Sequence, residues 1–345
     1  MQNFEKAFYI PTDWENQSAV WFSWPSEGKG LWNDSFERVR EQLIELYAIC
    51  ASFQNVTVLC SNSEHPILTN LIKKKKTNFK ITLLEYETDD VWIRDYGPIF
   101  LKDSHKDELI GTSWNFNAWG GKFKNYQKDN AAADWICQQL GIRCIHYHEI
   151  LEGGAIETNG SGVLCTTKSV LCNTNRLDLN GSEDWDSIFK ERFDMNKVLW
   201  FENGLVGDDT DGHIDNLLRF TPDNRILFSS TNDIRHNNYS TLQQLKKDLE
   251  GYLKGALRGY SIAPLPIPAP LYFKDQVLAA SYINYLVLNN AVIVPCYNQK
   301  TDDQACSIIQ EAYPDYSIVP FQCTEIIQEG GGLHCLSLNQ PSLQR

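Results

Sequence analysis

Residues 329–338 read EGGGLHCLSL, a run that delivers a His–Cys pair straight from three consecutive glycines. Cys335 has three readings here: a buried structural thiol, a metal ligand or a nucleophile, and burial is the common fate of a free cysteine. The glycines at 330–332 let the backbone adopt positive φ or approach a neighbour closely. If the run is a strand, His334 and Cys335 face opposite ways. A base for the thiol then has to come from elsewhere in the chain, as thiol–imidazole partners commonly do. The best source is GDDTDGHIDN (207–216), where His213 and Asp215 are two positions apart and share a face in an extended conformation. That segment reads as a metal pair, as a calcium-type acidic loop, or as a general acid/base histidine beside a ligand-binding carboxylate. Zinc asks for three or four ligands, and the other close histidine pair is His146/His148. The closing glutamate of a twelve-residue calcium loop is missing.

A third acidic segment, DDVWIRDYGP (89–98), puts Asp95 on one strand face with Val91 and Ile93, or at the start of a turn. Carboxylates bind cations, and a guanidinium presents a planar fork of donors that suits two of them. Asp95 and Asp215 could hold such a group from two sides with its carbon over the sulfur of Cys335. Fixing a poor electrophile against a soft nucleophile lowers the barrier to attack. His213 would protonate departing ammonia and then activate water. The same carboxylates disfavour a resting thiolate, so the cation itself would help to form it.

These residues need elements to position them. Strand-like, helix-like and strand-like segments recur in that order, each set followed by a Gly- and acid-rich loop. The sets are 56–59, 67–76 and 81–84; 108–112, 131–140 and 142–145; 162–166, 185–193 and 197–200; and 291–294, 303–313 and 316–319. One polar residue per loop gives Asp95, Glu152, His213 and Cys335, separated by 57, 61 and 122 residues, the last being twice 61. A fifth slot falls near Lys274. Five copies of one unit predict a stacked or radial arrangement that brings equivalent loops together. Length alone suggests about two domains. The proline-spaced segment 263–270 reads as a stiff extended connection, and Lys73–Lys76 as a solvated helix end.

Composition limits the partners. The chain has 345 residues and a formal net charge of −13. Nucleic-acid binding needs a basic footprint and is disfavoured, whereas a negative field suits a cationic small molecule. Ten scattered cysteines with no CxxC pair, no secretory leader and no apolar run of membrane-spanning length predict a cytoplasmic protein with free thiols.

The motifs WFSWP (21–25), DDVWIRDYGP, FNAWGG (116–121), LEGGAI (151–156), NTNR (173–176), GDDTDGHIDN, ASYINY (280–285) and GGGLHC (330–335) run along nearly the whole chain. In these the sequence resembles the agmatine deiminase and bacterial-type peptidyl-arginine deiminase family of the guanidine-modifying superfamily. The resemblance implies an α/β fold, a five-bladed pseudo-symmetric α/β propeller (pentein) forming a single domain over 1–345. It implies hydrolysis of a guanidinium to a urea and ammonia through an amidino-cysteine, with no cofactor and no metal. By motif, Cys335 matches the nucleophile, His213 the acid/base, and Asp95 and Asp215 the guanidinium ligands; Glu152 matches an active-site acid and Trp92 a pocket wall. Gly332, Leu333, Asp209 and Asp211 depart from the agmatine branch. Free or peptidyl arginine would need a cationic anchor for a carboxylate, for which Arg94, Arg176 and Arg219 are candidates. The acidic loops suit the ammonium of agmatine better. A non-catalytic binder of cationic metabolites would keep the acids without needing Cys335, and a generic thiol amidase would not need two carboxylates. The expected partner is a small cationic guanidinium compound, with a homo-oligomer left open and neither nucleic acid nor membrane involved. Residues 116–127 are a candidate lid.

Overall fold

The computed structural model describes residues 8–103, 105–177 and 184–343. Its sheets repeat one motif. A short strand runs antiparallel to a central strand, a helix follows, and a further strand returns parallel to the central one. Ile99–Asp103, Leu109–Asn115 and Cys144–Ile150 form one such set, joined by the helix Ala132–Leu140. Glu157–Thr158, Val163–Thr167 and Lys197–Phe201 form the next, with the helix Trp185–Phe193. Leu218–Phe220, Arg225–Ser230 and Ser261–Pro266 follow with Tyr239–Tyr252. Then come Leu286–Leu288, Ala291–Cys296 and Ser317–Gln322 with Asp302–Ala312. The last set combines both ends of the chain. Leu338–Pro341 pairs antiparallel with Gln17–Ser23, which runs parallel to Asn55–Cys60 and, beyond it, Ile81–Glu85. The fold is therefore mixed α/β with parallel and antiparallel pairing in each of these sheets.

The sequence explains the elements. Central strands such as Val163–Thr167 and Ala291–Cys296 are buried along their whole length, which accounts for continuous apolar runs rather than alternation. The helix Phe36–Cys50 buries Val39, Leu43, Leu46, Tyr47 and Cys50, the spacing of one helical face. Ala132–Leu140 ends on Gly141 at φ 66°, a left-handed cap that glycine adopts without steric cost.

Two expectations change. The proline-spaced segment is a connection only in its second half: Ser261–Pro266 is a strand paired on one side with Arg225–Ser230, an edge where missing proline N–H groups cost nothing, and 267–270 join it to Leu271–Phe273. The fifth loop is also displaced. The hairpin of Leu271–Phe273 and Gln276–Leu278 occupies the slot near Lys274, and the equivalent loop arrives at Asn284.

Candidate active site

The five loops that follow the parallel strands carry Asp95, Glu152, His213, Asn284 and Cys335. Asp95 lies in the short helix Ile93–Tyr96 and not on a strand; the helical turn and the Gly97 that ends it aim the carboxylate inward. His213 precedes the 3-10 turn Ile214–Asn216, so it and Asp215 converge through a tight turn and not through an extended face. Cys335 sits in the turn region just ahead of Leu338–Pro341, again not within a strand. All of these side chains are buried, with Cys335 at 3% exposure.

Their convergence is tight. His213 Nδ1 lies 3.6 Å from Asp95 Oδ1, and its Nε2 is 3.9 Å from Glu152 Oε2. Cys335 Sγ lies 3.6 Å from Asp215 Oδ2. A Cβ placed on Gly154 would fall 2.6 Å from His213 Nδ1, 2.8 Å from Asp95 Oδ1 and 3.2 Å from Asp215 Oδ2, so all three surround one small volume. Gly154 donates its N–H to Asp95 Oδ1 at 3.0 Å, and the Trp119 indole donates to Asp95 Oδ2 at 2.9 Å.

The glycines before Cys335 are explained separately. Gly330 takes φ 92°. A Cβ on Gly331 would come within 2.3 Å of the Trp92 ring, and one on Gly332 within 2.4 Å of Asn284 Oδ1. Close approach, more than backbone freedom, is what the last two positions require. Trp92 lines the cavity that reaches Cys335, a space of about 310 Å³.

Several contributing residues were not picked out from the sequence. Asn284 donates to Cys335 Sγ at 3.2 Å; only its place within ASYINY hinted at it. His334, set aside as facing away, places Nδ1 2.7 Å from Asp215 Oδ2 and Nε2 3.1 Å from Asp13 Oδ2. It stands behind Asp215 without contacting the sulfur as a base. Asp13 in turn accepts from Arg219 at 2.5 Å. Trp119 belongs to the segment read as a lid, but its indole reaches into the site. It holds φ 53° and ψ 45°, a left-handed conformation unfavourable for a bulky side chain, and such strain concentrates at functional sites.

Electrostatics follow from burial against charge. Burial lowers the His213 pKa, but Asp95, Glu152 and Asp215 outweigh it and hold the imidazole up at about 9. Burial, helped by Asp215, lifts Asp95 to about 6 against the opposing pull of His213. Glu152 and Asp215 stay below the ordinary carboxylate value despite burial, through Arg176 for the first and His334 for the second. Burial and then the charges of Asp215 and Asp95 push the Cys335 thiol well up. The resting site therefore holds a protonated histidine and a neutral thiol near pH 7. Both ring nitrogens of His213, with Glu152 Oε2 and Asp215 Oδ1, are buried without a hydrogen-bond partner among the described residues. Buried polar atoms are normally paired, so four unpaired ones in one place mark a binding surface for polar atoms of a ligand.

The arginines considered as carboxylate anchors lie outside this surface. Arg176 is held by Glu152 at 2.8 Å and by Asp211. Arg219 is held by Asp13 and Glu157, and Arg94 by Asn339 at 2.5 Å. The cavity instead presents Asp89, Asp90, Asp95, Asp209 and Glu329, with Lys29 and Lys124 as its cationic lining. His146 and His148, the other histidine pair, are remote from it; His146 pairs with Asp134 at 3.1 Å.

A repeating α/β frame whose loops bring a thiol, an imidazole and carboxylates together places the chain among the guanidine-modifying enzymes. An amidinotransferase of Microseira wollei shares the fold, with a TM-score of 0.52 at 11% identity over 97% of this chain and 98% of its own. The profile of the Porphyromonas-type peptidyl-arginine deiminases matches residues 9–341, and the chain belongs to that family. It is 30% identical to an agmatine deiminase of Stutzerimonas stutzeri over 98% of this chain and 96% of that one. A substrate-bound variant of C. jejuni agmatine deiminase superposes with a TM-score of 0.87 at 30% identity, covering 99% of this chain and 98% of the other.

Proposed function

We propose that the protein hydrolyses agmatine to N-carbamoylputrescine and ammonia, with Cys335 as nucleophile. One observation carries this reading: buried atoms of His213, Glu152 and Asp215 without hydrogen-bond partners gather beside Asp95 and the sulfur, which line the cavity. A guanidinium supplies the donors that Asp95, Glu152 and Asp215 accept, in the plane a bidentate fork needs. Its charge offsets the carboxylates that hold the thiol protonated, so the thiol releases its proton to solvent as the cation enters. The thiolate then attacks the guanidinium carbon, forming a C–S bond and a tetrahedral adduct. Protonated His213 gives its proton to one nitrogen, the C–N bond breaks and ammonia leaves, giving an S-amidino cysteine that carries the positive charge. Neutral His213 takes a proton from water as the oxygen adds to that carbon. Collapse breaks the C–S bond, releasing the thiolate and a urea whose hydroxyl proton goes to solvent; there the departed ammonia takes up a proton, and the thiolate regains its own once the cation is gone.

Choice of substrate rests on the charge of the cavity. Its acidic lining suits an alkylammonium tail, and Arg94, Arg176 and Arg219 are committed to other partners. Free or peptidyl arginine is the second reading, favoured by Lys124 on the cavity lining, Lys29 being paired with Glu87 and Asp89. The five loops would surround one pseudo-symmetry axis, as in a five-bladed propeller forming a single domain over 1–345. Among the described residues no helix is long and apolar enough to cross a membrane, and ten free thiols suit the reducing cytoplasm. The test is turnover of agmatine, free arginine and an arginyl peptide, followed by ammonia and ureido-group detection. Agmatine is expected to exceed both others by at least about a hundredfold in kcat/KM; preference for arginine would move the assignment to the second reading, and no turnover would remove both.

A further inference from the structure

We infer that Asp134, Cys144 and His146 form a site for a thiophilic divalent cation such as Zn²⁺, separate from the active site. Cys144 and His146 are two positions apart on the strand Cys144–Ile150 and share its face. Asp134 and Cys137 are three apart on the helix Ala132–Leu140 and share a side of it. The left-handed turn at Gly141 brings the strand straight back beside the helix, so the two sets of side chains meet. One donor atom from each of Asp134, Cys144 and His146 lies within 4.8 Å of the others, the one such group among the described residues. His146 Nε2 and Asp134 Oδ1 are already 3.1 Å apart. Tetrahedral zinc with bonds of about 2.0–2.3 Å sets its ligands roughly 3.3–3.8 Å apart, so only small side-chain shifts are needed.

An exposed His–Asp ion pair alone would be unremarkable. The thiol distinguishes this one. Cys144 is half-buried where the strand packs beside the helix that carries Asp134 and Cys137. A cation would replace its proton, released to solvent, and bind the thiolate. Imidazole, thiolate and carboxylate together select zinc over calcium or magnesium. The open side of the cluster, where His146 and Asp134 are 61% and 46% exposed, leaves room for water as the fourth ligand. None of the three lines the cavity at Cys335. The bound ion would tie the helix to the edge strand, with no part in the reaction.

The probe is Co²⁺ added to the full-length, prereduced, metal-free protein. One equivalent should produce intense visible ligand-field bands and a near-ultraviolet thiolate-to-cobalt band, both removed by Zn²⁺. The thiolate band should disappear in Cys144→Ser, binding should weaken at least tenfold in His146→Ala, and both should survive in Cys335→Ser. Amidine-hydrolase turnover and circular dichroism of Cys144→Ser and His146→Ala confirm that these variants fold. No cobalt spectrum, a thiolate band retained in Cys144→Ser, or one lost in Cys335→Ser would each overturn the inference.

Discussion

Asn284 Nδ2 lies 3.2 Å from Cys335 Sγ, while Asn284 Oδ1 accepts the main-chain N–H of His334 at 3.0 Å. One side chain therefore fixes the turn that carries the thiol and donates to the sulfur as it gains charge. Asn284→Ala should lower kcat/KM about ten- to a hundredfold, the usual cost of losing a hydrogen bond to a charged group with its partner left buried. Alkylation of Cys335 should shift to higher pH in the same variant; an unchanged alkylation profile would assign Asn284 to the turn alone.

Cys335→Ser should abolish agmatine turnover and leave the fold intact. The serine hydroxyl is nearly isosteric with the thiol but a far weaker nucleophile in a site without a strong base. Thermal unfolding within a few degrees of wild type, together with ammonia release at background, is the expected pair of readings.

The pH dependence follows from Asp95 and His213, at about 6 and about 9. The kcat/KM profile should be bell-shaped, falling below about 6 as Asp95 loses its charge and above about 9 as His213 loses its proton. Stability has its own sign. His213 is raised from 6.5 to about 9, so its contribution is complete below about 6.5 and lost as pH rises through about 9. A shift of this size corresponds to roughly 3 kcal/mol. Urea unfolding between pH 6 and 10 should show that decline in wild type and a flatter line in His213→Gln. Asp95 also disfavours ionisation on folding, so it too makes stability fall with rising pH, but in the range below about 6.

Arg176 is fully buried between Glu152 and Asp211 and also donates to Thr210 O at 2.9 Å. Arg176→Met should cost about 3–5 kcal/mol in unfolding free energy, because it leaves Glu152 charged and buried without its partner. Chemical denaturation at neutral pH measures this. A loss under 1 kcal/mol would mean that Glu152 takes up a proton or finds another donor.

Gly154→Ala should remove most activity and also cost about 1–3 kcal/mol of stability by overpacking a buried site. The new methyl would sit 2.6 Å from His213 Nδ1 and 2.8 Å from Asp95 Oδ1, closer than a carbon can approach, so it must displace the histidine and the carboxylate. A drop of at least about a hundredfold in kcat/KM with a lowered Tm is expected; full activity would mean that His213 and Asp95 need not hold these positions.

Which residues converge is more legible in the sequence than the local shapes that bring them together. Cys335, His213, Asp95, Asp215 and Glu152 could be singled out because each is a reactive type in a Gly- and acid-rich loop at repeating distance. The conformations that deliver them could not be read. Asp95 was aligned on a strand by the alternation of Val91 and Ile93, yet the turn into Gly-Pro winds helically. His213 and Asp215 fit period two and also fit a 3-10 turn, because short segments do not separate the two. The spacing put the fifth slot at Lys274; the hairpin ending at Leu278 delays it to Asn284, and an asparagine carries no titratable signal to mark it. His334 was discounted by strand geometry that the turn at 333–336 does not obey. Side-chain contacts across hundreds of residues, such as Asp13 with Arg219, leave no local trace in a sequence.

The pairing of Leu338–Pro341 with Gln17–Ser23 has a temporal consequence during synthesis on the ribosome. The strand that pairs with Gln17–Ser23 follows directly on Cys335, so the sulfur reaches its carboxylates only after the loops that carry them have left the exit tunnel. A nascent chain can build its early sheets but not the reactive centre, which keeps the thiol out of the site until the rest of it is in place.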